Sequence, residues 1–219
     1  MMKVAMILAA GRGERLRPIT DLRPKALCTV HDVPLIEYHV DNLALAGFER
    51  VVINHAYLGG QIRHYLGTGD RWGIEICYSP EPPGALETAG GIINALPLLG
   101  DKPFLTVNAD IVTDYNFGLL ELPPHSLAHL LLVNKPSYLP QADFGLSKTS
   151  QLENTNRQYT FPGIACYHPE LFRNQKFGRY SLTPMLRQLA TDGQATGEFY
   201  AGKWLDIGSP ERLAWANEK

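Results

Sequence analysis

Short unbroken apolar runs alternate, through the first half of the chain, with stretches whose apolar positions recur at helical spacing. VAMIL at Val4 to Leu8 has no polar alternation, which predicts a strand buried on both faces of a parallel sheet. From Pro34 to Gly47 a proline start, helically spaced apolar residues and a glycine stop predict a helix. RVVIN at Arg50 to Asn54 reads as the next strand, LGGQIRHYLG as a short helix and IEICYS at Ile74 to Ser79 as a strand. A helix beginning near Thr88, a strand KPFLTVNAD ending at Asp110 and a strand LAHLLLV at Leu127 to Val133 follow. This β-α alternation predicts an α/β fold with a mostly parallel central sheet and helices on both faces. In the less regular second half, DFGLS, YTFPGIACYH and ATGEFYAGKWLDIG read as strands, with helices at Leu182 to Thr191 and Ser209 to Asn217. These later elements are expected to form a lid or wall on the same sheet, and no linker or repeat marks a second domain.

Composition narrows the function classes. A chain of 219 residues can bury a core without disulfides or structural metal. A net charge of -2 gives no electrostatic reason to expect nucleic acid or an anionic membrane as partner. Cys28, Cys77 and Cys166 are odd in number and widely spaced, which argues against a zinc site and against a disulfide framework. The start of the sequence runs straight into a strand without a leader pattern, so the expected location is the cytoplasm.

The chemistry concentrates after the first strand, in LAAGRGERLRPIT at Leu8 to Thr20. A glycine-rich basic loop at the carboxyl end of a strand is where α/β folds place ligands. Neither common phosphate motif fits, because Leu16 stands where both the dinucleotide pattern and the P-loop need glycine. Yet Gly11 and Gly13 let backbone N–H groups turn towards an anion, and Arg12, Arg15 and Arg17 carry planar forks that match phosphate oxygens. The alternative is a solvent-exposed basic turn pairing with surface acids. His125 and His129 lie around an expected strand, where their spacing defines no helical metal face, and read as ordinary surface or core histidines.

This stretch resembles the opening motif of the sugar-1-phosphate nucleotidylyltransferases, L-A-A-G-x-G-x-R-x-x-P-x-T, at every fixed position. The likeness extends to Pro24-Lys25, to SPEPPGALETAGG before the third long helix, to VNAD ending at Asp110, and to Trp204-x-Asp206-x-Gly208. It implies a Rossmann-like nucleotidyltransferase fold over one domain, 1–219, with a nucleotide-binding half at 1–115 and a sugar-binding half at 116–219. It also implies catalytic roles for Arg15, Lys25 and Asp110, and a Mg²⁺ site at Asp110 and Asp206. Nucleotide contacts are implied for Leu8, Ala9, Ala10, Gly11, Arg12, Gly13, Glu81, Gly84 and Glu87, and sugar contacts for Asn108, Phe144, Gly145 and Gly163. The partners so implied are a nucleoside triphosphate and a sugar 1-phosphate, with no nucleic acid or membrane, and the chain as a monomer or small homo-oligomer.

Two departures stand out. Ala109 replaces the family's usual glycine before the aspartate, and the Glu-Lys-Pro lysine that grips the sugar phosphate in many relatives has no counterpart near Glu153 and Asn154. Glu81 could pair with guanine N1–H and N2–H₂ or with uracil N3–H. Stretches such as VINHAYLG, ETAGGI and DYNF resemble family members that act in cell-wall recycling, and that likeness implies UTP and N-acetylmuramate 1-phosphate as the pair, with Lys148 or Arg157 as expected donors to the lactyl carboxylate. The alternatives are a GTP-dependent mannose or heptose 1-phosphate enzyme and a non-catalytic sugar-nucleotide sensor.

Overall fold

The computed structural model describes residues 2–82, 84 and 86–218; Pro83 and Ala85, within the SPEPPGALETAGG segment, lie outside them. Strand β1 (Val4–Leu8) leads through the basic loop to a one-turn helix α1 (Ile19–Leu22), a small hairpin of β2 (Thr29–Val30) and β3 (Val33–Pro34), and helix α2 (Leu35–Leu45). β4 (Arg50–His55), α3 (Gly59–Leu66), β5 (Glu75–Pro80), α4 (Glu87–Leu99) and β6 (Phe104–Asn108) then alternate. Next come β7 (Ile111–Thr113), β8 (Ala128–Asn134), β9 (Gly145–Leu146), β10 (Leu152–Glu153), β11 (Tyr159–Thr160), β12 (Ile164–Tyr167) and α5 (Glu170–Arg173). α6 (Leu182–Thr191), β13 (Ala195–Phe199), β14 (Trp204–Asp206) and α7 (Pro210–Glu218) close the chain.

The apolar runs become the centre of one twisted sheet. Ala5, Met6 and Ile7 of β1 are all fully buried: Ala5 and Ile7 face the core under α2 and α3, while Met6 faces the core under α4 and α6. That two-faced burial is why the run lacks polar alternation. α2 buries Ile36, Val40 and Leu43 against the sheet, while Leu35 turns to the cluster around the β2–β3 hairpin and His39 is buried beside them.

The sheet runs β5-β4-β1-β6-β12-β8, with β13 against the far edge of β8. β5, β4, β1 and β6 run parallel and β13 runs parallel to β8, the mostly parallel sheet expected, with β12 reversed between β6 and β8. The later strands extend the sheet and do not merely wall it. YTFPGIACYH is two strands, because Pro162 has no N–H to donate and Gly163 sits at φ +88. β11 and β12 both pair with β8, but Thr160 opposite Val133 and Ala165 opposite Leu130 differ in register by two residues, the signature of a bulge. ATGEFYAGKWLDIG also divides: β13 joins the main sheet, and β14 leaves it to pair with β7. β6 ends at Asn108, not Asp110, freeing that aspartate into the turn.

Order reverses across β1, since β4 and β5 lie to one side and β6 to the other. The carboxyl ends of β1 and β6 therefore flank a topological switch point, and Leu8, Asn54 and Asn108 stand side by side in register there. No helix among the described residues is long and apolar enough to cross a membrane.

Candidate active site

The switch point opens into a cavity of about 260 Å³ lined by Leu8, Ala9, Ala10, Gly11, Lys25, Asn54, Glu81, Glu87, Thr88, Asn108, Ala109 and Asp110. Two further hollows share its walls. One, bounded by Ala10, Arg12, Tyr57, Glu81 and Gly84, lies outside the basic loop; the other, of about 290 Å³, is lined by Gly11, Gly13, Glu14, Arg15, Lys25, Asp110 and Gly208. The nucleotide residues expected from the sequence, Leu8 to Gly13 with Glu81, Gly84 and Glu87, all border this connected space.

The basic loop divides its arginines between scaffolding and solvent. Thr20 Oγ1 donates to the Gly13 carbonyl at 2.7 Å, and Arg12 donates to the Thr20 carbonyl at 2.7 Å and pairs with Asp21 at 2.9 Å. The Arg12 guanidinium also lies 3.7 Å from the Tyr57 ring centroid. Gly13 has φ +71, and a Cβ there would stand 3.0 Å from Thr20 Cγ2, so the fold requires glycine on both counts. Arg12 is thus a structural clamp, whereas Arg15 is exposed, makes no ion pair with any described residue and faces the second hollow.

Beside the loop, a chain of hydrogen bonds fixes the wall on which a base would rest. Asn54 Oδ1 accepts from Ala9 N at 2.8 Å while its Nδ2 donates to Glu81 Oε1 at 2.6 Å; Glu81 Oε2 accepts from Leu86 N at 2.9 Å. Both oxygens of this buried carboxylate are engaged within the protein, so Glu81 braces two loops and is not free-standing as a base reader. Glu87 opens α4 at φ +60 and pairs with Arg179 at 2.9 Å, a backbone conformation unusual for a residue with a Cβ.

Acidic groups meet opposite the loop. β7 follows β6 directly and pairs antiparallel with β14, so Ile207 N donates to the Asp110 carbonyl at 2.8 Å and Asp206 stands opposite Ile111. Residues nearly a hundred positions apart thereby converge. Each carboxylate holds an internal cation: Lys25 Nζ bonds Asp110 Oδ2, and Arg212 Nη1 donates to Asp206 Oδ2 at 2.6 Å. Among the described residues no three His, Cys, Asp or Glu side chains gather as a metal cage. Two carboxylates with room for phosphate oxygens is a donor set that suits Mg²⁺.

Below this turn, His39 of α2 is completely buried, and burial holds its imidazole down to about 4, with the Asp110 charge opposing. Arg212 escaped the sequence reading. Its signal was the Asp-x-Gly-Ser-Pro-x-Arg spacing, which places a cation in the first turn of α7 and back over Asp206.

The expected sugar residues separate. Asn108 lines the main cavity, and its backbone N–H donates to the Gly163 carbonyl at 2.9 Å, so Gly163 lies directly behind it at the bulge. Phe144 does not face the cleft: it is 1% exposed, in the core under α6, with Arg187 4.5 Å from its ring centroid. Gly145 pairs with Glu153 in the β9–β10 ladder and does not border the hollows either. Lys148 sits in an exposed turn, and Arg157 donates to Gln141 Oε1 at 3.3 Å.

A nucleotidyl transferase family model matches residues 4–219. The chain is 48% identical over 218 residues to the N-acetylmuramate alpha-1-phosphate uridylyltransferase of Neisseria meningitidis serogroup B, covering 95% of this chain and 94% of that protein. It is 32% identical over 225 residues to the protein of the same name from Caulobacter vibrioides, covering 95% and 93%. A solved structure of a putative glucose-1-phosphate thymidylyltransferase from Bacillus anthracis superposes with a TM-score of 0.84 at 22% identity, over 100% of this chain and 94% of the other, a likeness of fold.

Proposed function

The chain belongs to the nucleotidyl transferase family, and we propose that it is a Mg²⁺-dependent uridylyltransferase joining UTP to N-acetylmuramate α-1-phosphate. The observation that carries the chemical reading is the β7–β14 pairing, which sets Asp206 beside Asp110 and Lys25 next to a glycine-rich loop. The names of the two relatives support the choice of substrates.

An oxygen of the sugar phosphate attacks the α-phosphorus. The bond from that phosphorus to the oxygen bridging to the β phosphate breaks, and the electron pair leaves with pyrophosphate. No protein nucleophile is required, so the protein's task is to bring two anions together and neutralise charge at the transferring group. Loop N–H groups from Gly11 to Gly13 and the Arg15 guanidinium hold the β and γ phosphates. Lys25, adjacent to the main cavity, supplies a point charge to the α phosphate and the incoming phosphate. Asp110 and Asp206 would hold Mg²⁺, which when bound supplies positive charge to the phosphate oxygens. The Asn54–Glu81 brace keeps the base wall in place, with Gly84 backbone groups at its rim.

Pyrophosphate release tests the reading, with four triphosphates against the 1-phosphates of N-acetylmuramate, N-acetylglucosamine, glucose, mannose and heptose. UTP with N-acetylmuramate α-1-phosphate is expected to dominate, because a base with mismatched donors and acceptors leaves buried partners unsatisfied. Preference for GTP with mannose or heptose 1-phosphate overturns the substrate assignment and keeps the chemistry. Sugar-nucleotide binding without turnover on any pair overturns the enzyme.

A further inference from the structure

The hollow lined by Arg15 and Gly208 has a cation held in reserve at its edge. Arg212 emerges from the first turn of α7, whose start is set by Ser209, accepting from Arg212 N at 3.4 Å, and by Pro210 at the first helical position. Its guanidinium is sandwiched between the Asp206 carboxylate and the Tyr138 ring, 4.5 Å from the ring centroid. It also packs against Gly208, where a Cβ would meet the guanidinium and would stand 2.9 Å from Asp206 Oδ1. Gly208 lines the same hollow as Gly11, Gly13 and Arg15. Burial raises the Tyr138 phenol, Asp206 adds to the rise, and Arg212 and Arg15 oppose it, so both arginines lie close enough to act on one hydroxyl.

We propose that Arg212 is a transferable counter-ion: it neutralises Asp206 at rest and, when that carboxylate is taken up by the metal, swings to the pyrophosphate part of the substrate beside Arg15. This rests on the uridylyltransferase reading and adds a residue to it. The charge argument is direct. At rest each acid of the pair holds one internal cation, Lys25 on Asp110 and Arg212 on Asp206. Were both carboxylates to turn to a divalent ion, Lys25 and Arg212 would be left as part-buried cations without partners unless an anion met them. For Lys25 that anion is the α phosphate with the incoming phosphate; for Arg212 it is the departing pyrophosphate, whose oxygens a planar guanidinium suits in two-point contact. Arg212 also needs only to change partner, since its stem is already ordered against Tyr138 and Gly208.

The test is calorimetric binding of inorganic pyrophosphate and, separately, of UDP-N-acetylmuramate to the full chain, in Mg²⁺ and in EDTA. In Mg²⁺, Arg212→Ala is expected to weaken pyrophosphate at least about tenfold, the range of a charge-assisted hydrogen bond, and to change the sugar nucleotide less than about threefold. In EDTA the wild type and Arg212→Ala bind pyrophosphate alike, because Arg212 stays on Asp206. Asp206→Asn, which releases the guanidinium without metal, is expected to strengthen pyrophosphate binding in EDTA severalfold over wild type. Arg212→Lys, retaining the charge and the stem, falls between and serves if the alanine variant does not fold. Equal weakening of both ligands, or an unchanged pyrophosphate affinity, overturns the proposal. A wild type that binds neither ligand in Mg²⁺ overturns the uridylyltransferase reading itself.

Discussion

Lys25 and His39 show how single side chains are set by the same turn. Lys25 is 13% exposed and already faces an acid, so its replacement removes a charge without removing much packing. Lys25→Ala is expected to fold and to lose about 10² in turnover, equivalent to about 3 kcal/mol of transition-state stabilisation; steady-state rates near wild type would remove the role. His39 makes the opposite trade. Its pKa is about 4 in the folded chain against an ordinary 6.5, so between those values the unfolded chain carries the extra proton. Stability is complete above about pH 6.5 and falls as the pH drops towards 4, by about 2 kcal/mol at pH 4.5 from this group. His55, also lowered by burial, works in the same direction. Urea unfolding of His39→Leu at about pH 7 and about pH 4.5 is expected to show a smaller acid loss than wild type, and an equal loss would refute the assignment.

At the scale of elements, the pairing of β7 with β14 makes the site. Because the ladder holds Asp110 and Asp206 as one unit, Asp110→Asn and Asp206→Asn should each abolish most turnover, and the double variant should be little worse than either single one. Additive losses would show two independent roles. The sequence announced both aspartates through motif likeness, but not their ladder, since β7 is only three residues long and β14 is the tail of a longer stretch that reads as one strand. Legibility followed burial. β1, β4 and β6 are buried, parallel and continuous, and their apolar runs marked them within a residue or two; β5, the parallel edge strand with Glu75 and Pro80 exposed, was marked as closely. Beyond Thr113 the chain uses two-residue strands, a bulge at 161–163 and a reversed β12, none of which leaves a periodic signal. Phe144 was placed by family likeness alone, and in the fold it stands just before β9, bridged to Tyr159 and packed in the core under α6. Ion-pair partners such as Arg212 depend on how a helix start is aimed, and that is fixed by tertiary contacts.

For the whole molecule, the cleft is a seam between early and late sequence. Its base wall and basic loop come from residues before Asp110, while Asp206, Gly208 and Arg212 come from β14 and α7, which packs with the β2–β3 hairpin through Cys28, Val30, Leu35, Ile207 and Ala216. A ligand that touches both sides is therefore expected to stabilise the chain as one unit, and a ligand that touches only the early side to stabilise it less. UDP-N-acetylmuramate with Mg²⁺ at 100 times its dissociation constant contributes about 2.7 kcal/mol by mass action, which for a chain of 219 residues is a rise of about 5–10 °C in the unfolding midpoint. UMP at the same concentration should give a smaller rise. In Asp206→Asn the difference that Mg²⁺ makes to the full ligand should shrink to near zero, because the late side then lacks one carboxylate of the pair. Thermal scans of both proteins with UMP and with the sugar nucleotide, in Mg²⁺ and in EDTA, decide the matter. Equal shifts for the two ligands would place the whole binding energy on the early side and refute the two-sided cleft.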